Sequence, residues 1–366
     1  MSVIIFIIIL GLLVFVHELG HFATAKFFGV RVDEFGMGFP PRAATLFKRG
    51  ETEYTLNWIP FGGFVKIHGE DPLEHGELDK DYKRSLVARP WWQQVIVLIA
   101  GVTMNVLLAW FLFSTAYLIG SPTPASSIDH PERLRNPELT VLQVMADRPA
   151  DGAGIKTGDR VIRVVTPEAI LTNGTQESFI ATIQHTKPGE TVTITIERGK
   201  ETRDIVVTPS SDNESGKQQI GVAVDVVGTY RTGFFAAIGE GAKSAWFGTI
   251  NTFKAFGNFF GEAVQGHASL GTVTGPVGLA GLVGDAQKIG FVYVIMLAAI
   301  ISINLAVINI LPFPALDGGR ILFTLIEAVI RRPLPKKFVE WANTAGFFIL
   351  IGLMLVITVK DVIKLF

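Results

Sequence analysis

The sequence predicts a polytopic α-helical membrane protein of about four transmembrane helices. A membrane re-entrant β region and an inserted β-rich domain complete the expected fold. Three observations carry this expectation. Hydrophobic residues make up 49% of the 366-residue chain and charged residues only 18%, and the mean hydropathy is +0.41, which points to a bilayer. Uncharged stretches long enough to cross, at about 20 apolar residues each, run over Pro90–Ile128, Phe291–Leu316 and, more briefly, Ala342–Val359. Residues 129–228 then change character, being rich in charge, Gly and Thr.

The opening stretch is apolar from Val3 to Val16. That length alone would suit a signal-peptide core, but it lacks a basic start and a small-residue cleavage site, and it continues helically as LGHFATAKFF. Residues 1–28 are therefore expected to form the first span. Residues 29–89 hold "FGMGFPP" and "YTLNWIPFGGFVKIHGE", Gly-punctuated and β-prone, which suggests a hairpin dipping back toward the spans. Non-helical backbone survives at that depth when buried in protein or lining a wet cavity.

Residues 90–120 form the second span, with an apolar heart from Val95 to Ile119. The β-rich domain, residues 126–228, contains alternating runs such as "TVTITIER" and "RDIVVTP". Residues 229–288 place Phe234, Ile238, Ala242 and Ala245 at helical spacing. They read as one or two amphipathic helices at the outer interface, or as a helical extension packed on the β-rich domain. The third span falls within 289–330 and the fourth within 338–366.

Basic residues orient the chain. Lys26, Arg31, Lys83, Arg84 and Arg89 flank the first loop, and "RRPLPKK" between the last two spans adds Arg331, Arg332, Lys336 and Lys337 without an acid. Short basic loops stay cytoplasmic, so both termini and the β-rich domain are expected outside. Lys360 and Lys364 pull the other way. The net charge of −1 leaves no footprint for nucleic acid.

His17, Glu18 and His21 lie inside the first apolar run, where ionisable groups are costly and a functional hypothesis by default. Residues i and i+4 share a helix face, so His17 and His21 can hold one metal ion while Glu18, turned aside, serves as general base. The chain has no cysteine, so any metal must be held by His and carboxylate; His₂-carboxylate sites suit zinc and also take iron. The bland alternatives are a chance match and satisfied core histidines. A catalytic zinc takes three protein ligands, and the candidate third lies in "NILPFPALDGGR", where Asn309, Pro312, Pro314 and Asp317 follow one another. Prolines at that spacing break the helix. Asp317 is the carboxylate available there, with a helix-end turn as its plain reading. At 1.5 Å per residue, His17 sits roughly 22 Å along its span and Asn309 roughly 27 Å along the third, similar depths nearer the cytoplasmic face. Asn105 in "GVTMN" either bonds to the site or joins helices.

HELGH in a first span and N-x-x-P-x-P-x-x-D-G-G in a later one together resemble the site-2 protease family of intramembrane zinc metalloproteases. "ADRPADGAGIKTGDRVIRVV" resembles a PDZ domain, with Gly158-Asp159 opening a strand and Phe179–His185 lining a peptide groove. With that unit between the motifs, the chain resembles the bacterial branch typified by the regulator of sigma-E protease, with room for one PDZ unit rather than two. The resemblance implies a zinc ion held by His17, His21 and Asp317, with Glu18 as catalytic base. Asn105 and Asn309 would be polar supports, and "GMGFPP" with the Gly62-Gly63 hairpin the re-entrant elements that hold substrate extended. It also implies a bacterial inner-membrane protease cutting single-pass membrane proteins, such as anti-sigma factors and remnant signal peptides, in regulated intramembrane proteolysis. A peptide or partner would occupy the PDZ groove. Two rival readings are a catalytically inactive, membrane-anchored PDZ adaptor and a metal-ion carrier.

Overall fold

The computed structural model describes residues 2–70, 81–128, 130–145, 147–199, 201–211, 216–266 and 274–363. The tail of the expected fourth span beyond 363, residue 129 at the edge of the β-rich stretch, and parts of the 29–89 and 229–288 segments lie outside the described residues. In chain order the elements are α1 (Ser2–Phe27), β1 (Val32–Arg49), β2 (Thr52–Ile67), α2 (Trp91–Ile119), β3 (Ser121–Pro124), β4 (Arg135–Val144) and α3 (Pro149–Gly152). Then come β5 (Arg160–Val165), β6 (Ile170–Thr172), α4 (Gln176–Gln184), β7 (Val192–Arg198), β8 (Glu201–Val207), β9 (Ser210–Ser211), β10 (Gln218–Gln219) and β11 (Val222–Tyr230). The remainder is helical: α5 (Phe234–Val264), α6 (Pro276–Ile289), α7 (Phe291–Ile310), α8 (Asp317–Ile330) and α9 (Lys336–Ile363). Two compact units result, Met1–Ala116 with Phe235–Phe366, and Tyr117–Phe234.

In the first unit, α1, α2, α7 and α9 are long and apolar enough to cross a membrane. Their outward faces carry large exposed apolar side chains such as Ile8, Phe111, Ile300 and Leu355, as lipid contact requires. Small residues allow α1 and α2 to meet closely: a Cβ at Gly20 would lie 2.4 Å from the Ala100 carbonyl oxygen. The chain breaks after α7 where the prolines predict. α7 stops at Ile310, and a separate helix, α8, begins at Asp317, because Pro312 and Pro314 lack the N–H groups that would carry the helix through. The segment after Gly233 is one long helix, α5. Its contacts run along the spans: Trp110 Nε1 donates to the Ile238 carbonyl at 2.9 Å, and Thr252 Oγ1 donates to Asn304 Oδ1 at 3.4 Å. α5 is thus part of the helical unit, where the sequence left open an extension packed on the β-rich domain.

β1 and β2 fold into a small, irregular sheet within the helical unit. Val32–Met37 pairs with Gly63–Ile67, while Arg42–Arg49 pairs with Thr52–Asn57. The sheet packs on α1 through Phe35, whose ring meets Phe15 at 5.4 Å and Phe22 at 5.1 Å between centroids.

The second unit is a sheet of order β3-β11-β4-β5-β7-β8, with β6 beside β5. It reaches back to Ser121, earlier than the charge shift at 129 suggests, because β3 pairs with Val227–Tyr230 of β11. Alternating Val192, Ile194 and Ile196 of β7 join Val161, Val164, Phe179 and Ile183 in its core. Thr175 opens α4 with reciprocal bonds to Ser178. The Gly158-Asp159 pair precedes β5. Asp159 is fully buried and takes two bonds from Arg198, 2.6 and 2.7 Å.

Candidate metal centre

α1 carries His17 and His21 one turn apart, so both imidazoles leave the same face of the helix, and each is 6% exposed. The break after α7 brings the third donor. Residues 311–316 form a connector in which Ala315 takes a left-handed φ of 72°, and its N–H is received by Asn343 Oδ1 of α9 at 3.2 Å. α8 then starts on Asp317 itself.

Three donor atoms converge. His17 Nε2 lies 3.0 Å from Asp317 Oδ2, His21 Nε2 lies 3.3 Å from the same oxygen, and the two Nε2 atoms are 3.2 Å apart. A tetrahedral zinc with bonds of about 2.0–2.1 Å separates its ligand atoms by about 3.3 Å, so this triangle has the size of one face of such a site. Among the described residues, this is the group of His, Asp and Glu donors able to share an ion.

The surrounding bonds fit the same group. His21 Nδ1 donates to the Val97 carbonyl at 2.8 Å, which fixes the tautomer and leaves Nε2 bare for a metal. His17 Nδ1 lies 3.3 Å from the side-chain amide of Asn105, whose Oδ1 is otherwise buried without a partner. Nδ2 is the amide atom set toward Nδ1; with the amide turned over, Oδ1 would receive Nδ1–H and free Nε2. Asn105 is itself anchored, since Ser302 Oγ donates to its carbonyl at 2.8 Å. Asn309 Nδ2 reaches to 3.4 Å from His17 Nε2.

Glu18 turns aside from the two imidazoles. Its Oε2 accepts from the Val65 N–H at 3.1 Å, which sets the carboxylate between the donor triangle and the hairpin. Gly62 touches α1 nearby, a Cβ there falling 3.1 Å from Val14 Cγ1, and Gly63 lies under the Gly36 carbonyl. Gly62 lets the sheet approach α1 and Gly63 lets β2 close on β1, and neither is among the donors. Pro312 and Pro314 shape the connector and contribute no bond to the imidazoles or Asp317.

Sequence reasoning missed several contributors. Gly101 lies against the donors: a Cβ there would sit 2.3 Å from His21 Nε2 and 2.8 Å from His17 Cε1. Val97 acts through a main-chain carbonyl, and Val65 through a main-chain N–H, which no side-chain pattern reveals. Arg320, one turn past Asp317, forms an ion pair with Glu70.

Residues 5–353 match the model of peptidase family M50. The chain belongs to peptidase family M50. A Clostridium perfringens protein bearing a zinc metalloprotease name is 36% identical over 352 residues, covering 96% of this chain and 95% of that protein. The zinc metalloprotease RasP of Geobacillus kaustophilus is 29% identical and spans 100% of this chain and 98% of its own length. The regulator of sigma-W protease RasP of Bacillus subtilis is 29% identical over 100% of this chain and 99% of its own. The solved PDZ domain of an SdrC-like protein from Listeria monocytogenes is 22% identical over 24% of this chain and 86% of that domain, at a TM-score of 0.21. Membership of M50 makes the chain a membrane metalloprotease of the site-2 type.

Proposed function

We propose that this M50 protease cleaves single-pass transmembrane segments within the bilayer, with His17, His21 and Asp317 holding one zinc ion and Glu18 as general base. The observation that carries the reading is the donor triangle of 3.0, 3.2 and 3.3 Å, formed by two buried imidazoles of α1 and the partly buried Asp317 of α8 with a carboxylate at its side. Zinc bound there supplies Lewis acidity toward a scissile carbonyl and acidifies water.

The chain's own groups do the rest. Glu18 takes a proton from the attacking water and returns it to the leaving amine. Asn105 and Val97 hold the imidazoles in the tautomer that leaves Nε2 bare. Asn309 lies where an amide could donate to developing negative charge. A helical substrate has no free backbone groups to offer, so it must unwind first. Residues 63–67 pair with β1 on one side only among the described residues, and this open edge beside Glu18 suits capture of the unwound segment as an added strand.

Anti-sigma-factor-like proteins and remnant signal peptides fit as substrates, in regulated intramembrane proteolysis. Residues 126–228 read as one PDZ domain whose groove lies between α4 and the first half of β11, the part β3 leaves uncovered. The β1–β2 region reads as the re-entrant element, and both termini and the PDZ unit as extracytoplasmic.

The test compares wild type with Glu18→Gln on a co-expressed, tagged single-pass substrate while bound metal is assayed in both. The expected outcome is full metal occupancy with cleavage abolished. A substitution that still cuts overturns Glu18 as base. A metal-loaded wild type that cuts none of a panel of outer-trimmed substrates favours the adaptor reading.

A further inference from the structure

The strand that ends at Ile67 is tied to the helix that carries Asp317 through Arg320 and Glu70. Arg320 Nη1 pairs with Glu70 Oε1, and Arg320 Nη2 donates to the Glu70 main-chain carbonyl at 2.6 Å. Glu70 Oε2 in turn accepts from the Ile67 N–H at 3.4 Å. Both side chains are 28% exposed, so the pair is half-buried and charge-assisted rather than freely solvated.

Its position in the strand matters more than its strength. Along an antiparallel strand, N–H groups point alternately to either neighbour. The His68 N–H turns inward to the Arg31 carbonyl at 2.9 Å. The N–H groups of Ile67 and Val65 turn to the open edge, where Glu70 and Glu18 receive them. The open edge is therefore capped by two carboxylates: Glu18 beside the donor triangle, and Glu70 held by α8.

We propose that Arg320 and Glu70 form a positioning clamp that fixes the open hairpin edge relative to Asp317, so that a substrate strand seated there presents one bond to the metal site. This rests on the reading above, that the edge receives substrate. Register on a sheet edge is otherwise weakly specified, and a permitted slip is two residues, about 6–7 Å. Such a slip carries the scissile bond out of reach. With the Ile67 N–H taken by Glu70 and the Val65 N–H by Glu18, the ladder left for an incoming strand lies before Val65. Arg320 is three residues past Asp317 on the same helix, so any drift of the edge relative to the third ligand must stretch this pair. Neither residue is a metal donor or touches the reacting atoms; both act through the strand and the helix they join.

The experiment uses the purified full chain, with a tagged single-pass peptide of about 25 apolar residues broken by a central Asn-Pro pair as probe. Arg320→Gln and Glu70→Gln are each expected to keep wild-type metal content, lose kcat by about 10- to 100-fold, and spread the cut over neighbouring bonds, as mapped by mass spectrometry. The charge-swapped double variant, Arg320→Glu with Glu70→Arg, is expected to recover most of the rate and a single cut. A distance measurement needs no substrate. Nitroxide pairs on Lys66→Cys and Leu325→Cys in this cysteine-free chain should give a narrow distribution that broadens in Arg320→Gln and narrows again in the swap. An unchanged distribution, or an unchanged single cut at the wild-type rate, overturns the clamp. So does a loss of metal and melting temperature that the swap fails to repair, which marks a merely structural bridge. Glu18→Gln run in parallel separates the two claims: if it still cuts, the catalytic reading has failed, whereas an inert Glu18→Gln with wild-type cutting by both clamp variants removes the clamp alone.

Discussion

Gly101 determines how near α2 can come to the imidazoles. In a helix interior, Ala is favoured over Gly by about 1 kcal/mol, so Gly101→Ala should strengthen α2 in isolation. Here the added methyl would fall 2.3 Å from His21 Nε2, well inside van der Waals contact, and the ring must move. The expected outcome is a folded protein of wild-type helicity whose metal affinity is about 10- to 100-fold weaker, the usual cost of disturbing what orients a ligand. Metal titration of the purified variant checks this, and wild-type affinity would show that α2 yields instead. The same residue marks what a sequence conveys at this scale. His17, Glu18 and His21 are legible because a helix puts i and i+4 on one face, and Asp317 because two prolines must interrupt the span ahead of it. Gly101, Val97 and Val65 act through absence of a side chain or through main-chain groups. Their residue types look the same whether or not an imidazole lies opposite.

At the level of elements, α6 depends on a carboxylate from elsewhere in the chain. The first N–H groups of a helix lack internal partners, and Gly275, which opens α6, has no side chain to supply one. Asp361 near the end of α9 does so instead: its Oδ2 accepts from the N–H groups of Gly275 and Gly278, both at 2.9 Å, and the residue is 7% exposed. A negative charge there also meets the positive end of the helix dipole. Asp361→Ala leaves two N–H groups without their acceptor and should destabilise the helical unit by about 1–3 kcal/mol. Asp361→Asn, which keeps one acceptor oxygen, should lose less. Thermal melts in detergent rank the three proteins, and equal melting would show that the cap contributes nothing. A long-range cap of this kind is invisible in sequence, because eighty-odd residues separate the partners and neither position has a distinguishing pattern. The break after α7 was readable from its prolines. The new helix beyond it was not, because "DGGRILFTLIEAVI" is apolar enough to pass as a continuation of the span.

For the molecule as a whole, hydropathy located four helices able to cross a membrane, since apolar length is a local property. The β-rich unit was visible through its strand alternation, although its first strand, Ser121–Pro124, hides in a proline-rich segment that pairs with β11. Orientation is the remaining whole-molecule property, and charge distribution argues for it. Arg331 and Arg332 lie in the short connection between α8 and α9, and Lys336 and Lys337 open α9, a short basic segment of the kind retained in the cytoplasm. If that loop is cytoplasmic, α7 descends from the outer side and Asp317 lies toward the inner face, where cytoplasmic water can reach Glu18. Lys360 and Lys364, toward the other end, oppose this arrangement with two charges against four. The absence of cysteine makes the test direct: Lys187→Cys in the β-rich unit should react with a membrane-impermeant maleimide in intact spheroplasts. Arg332→Cys should react only after the membrane is opened. The opposite pattern would put the β-rich unit in the cytoplasm and the metal site near the outer face, and water would then have to reach Glu18 from outside.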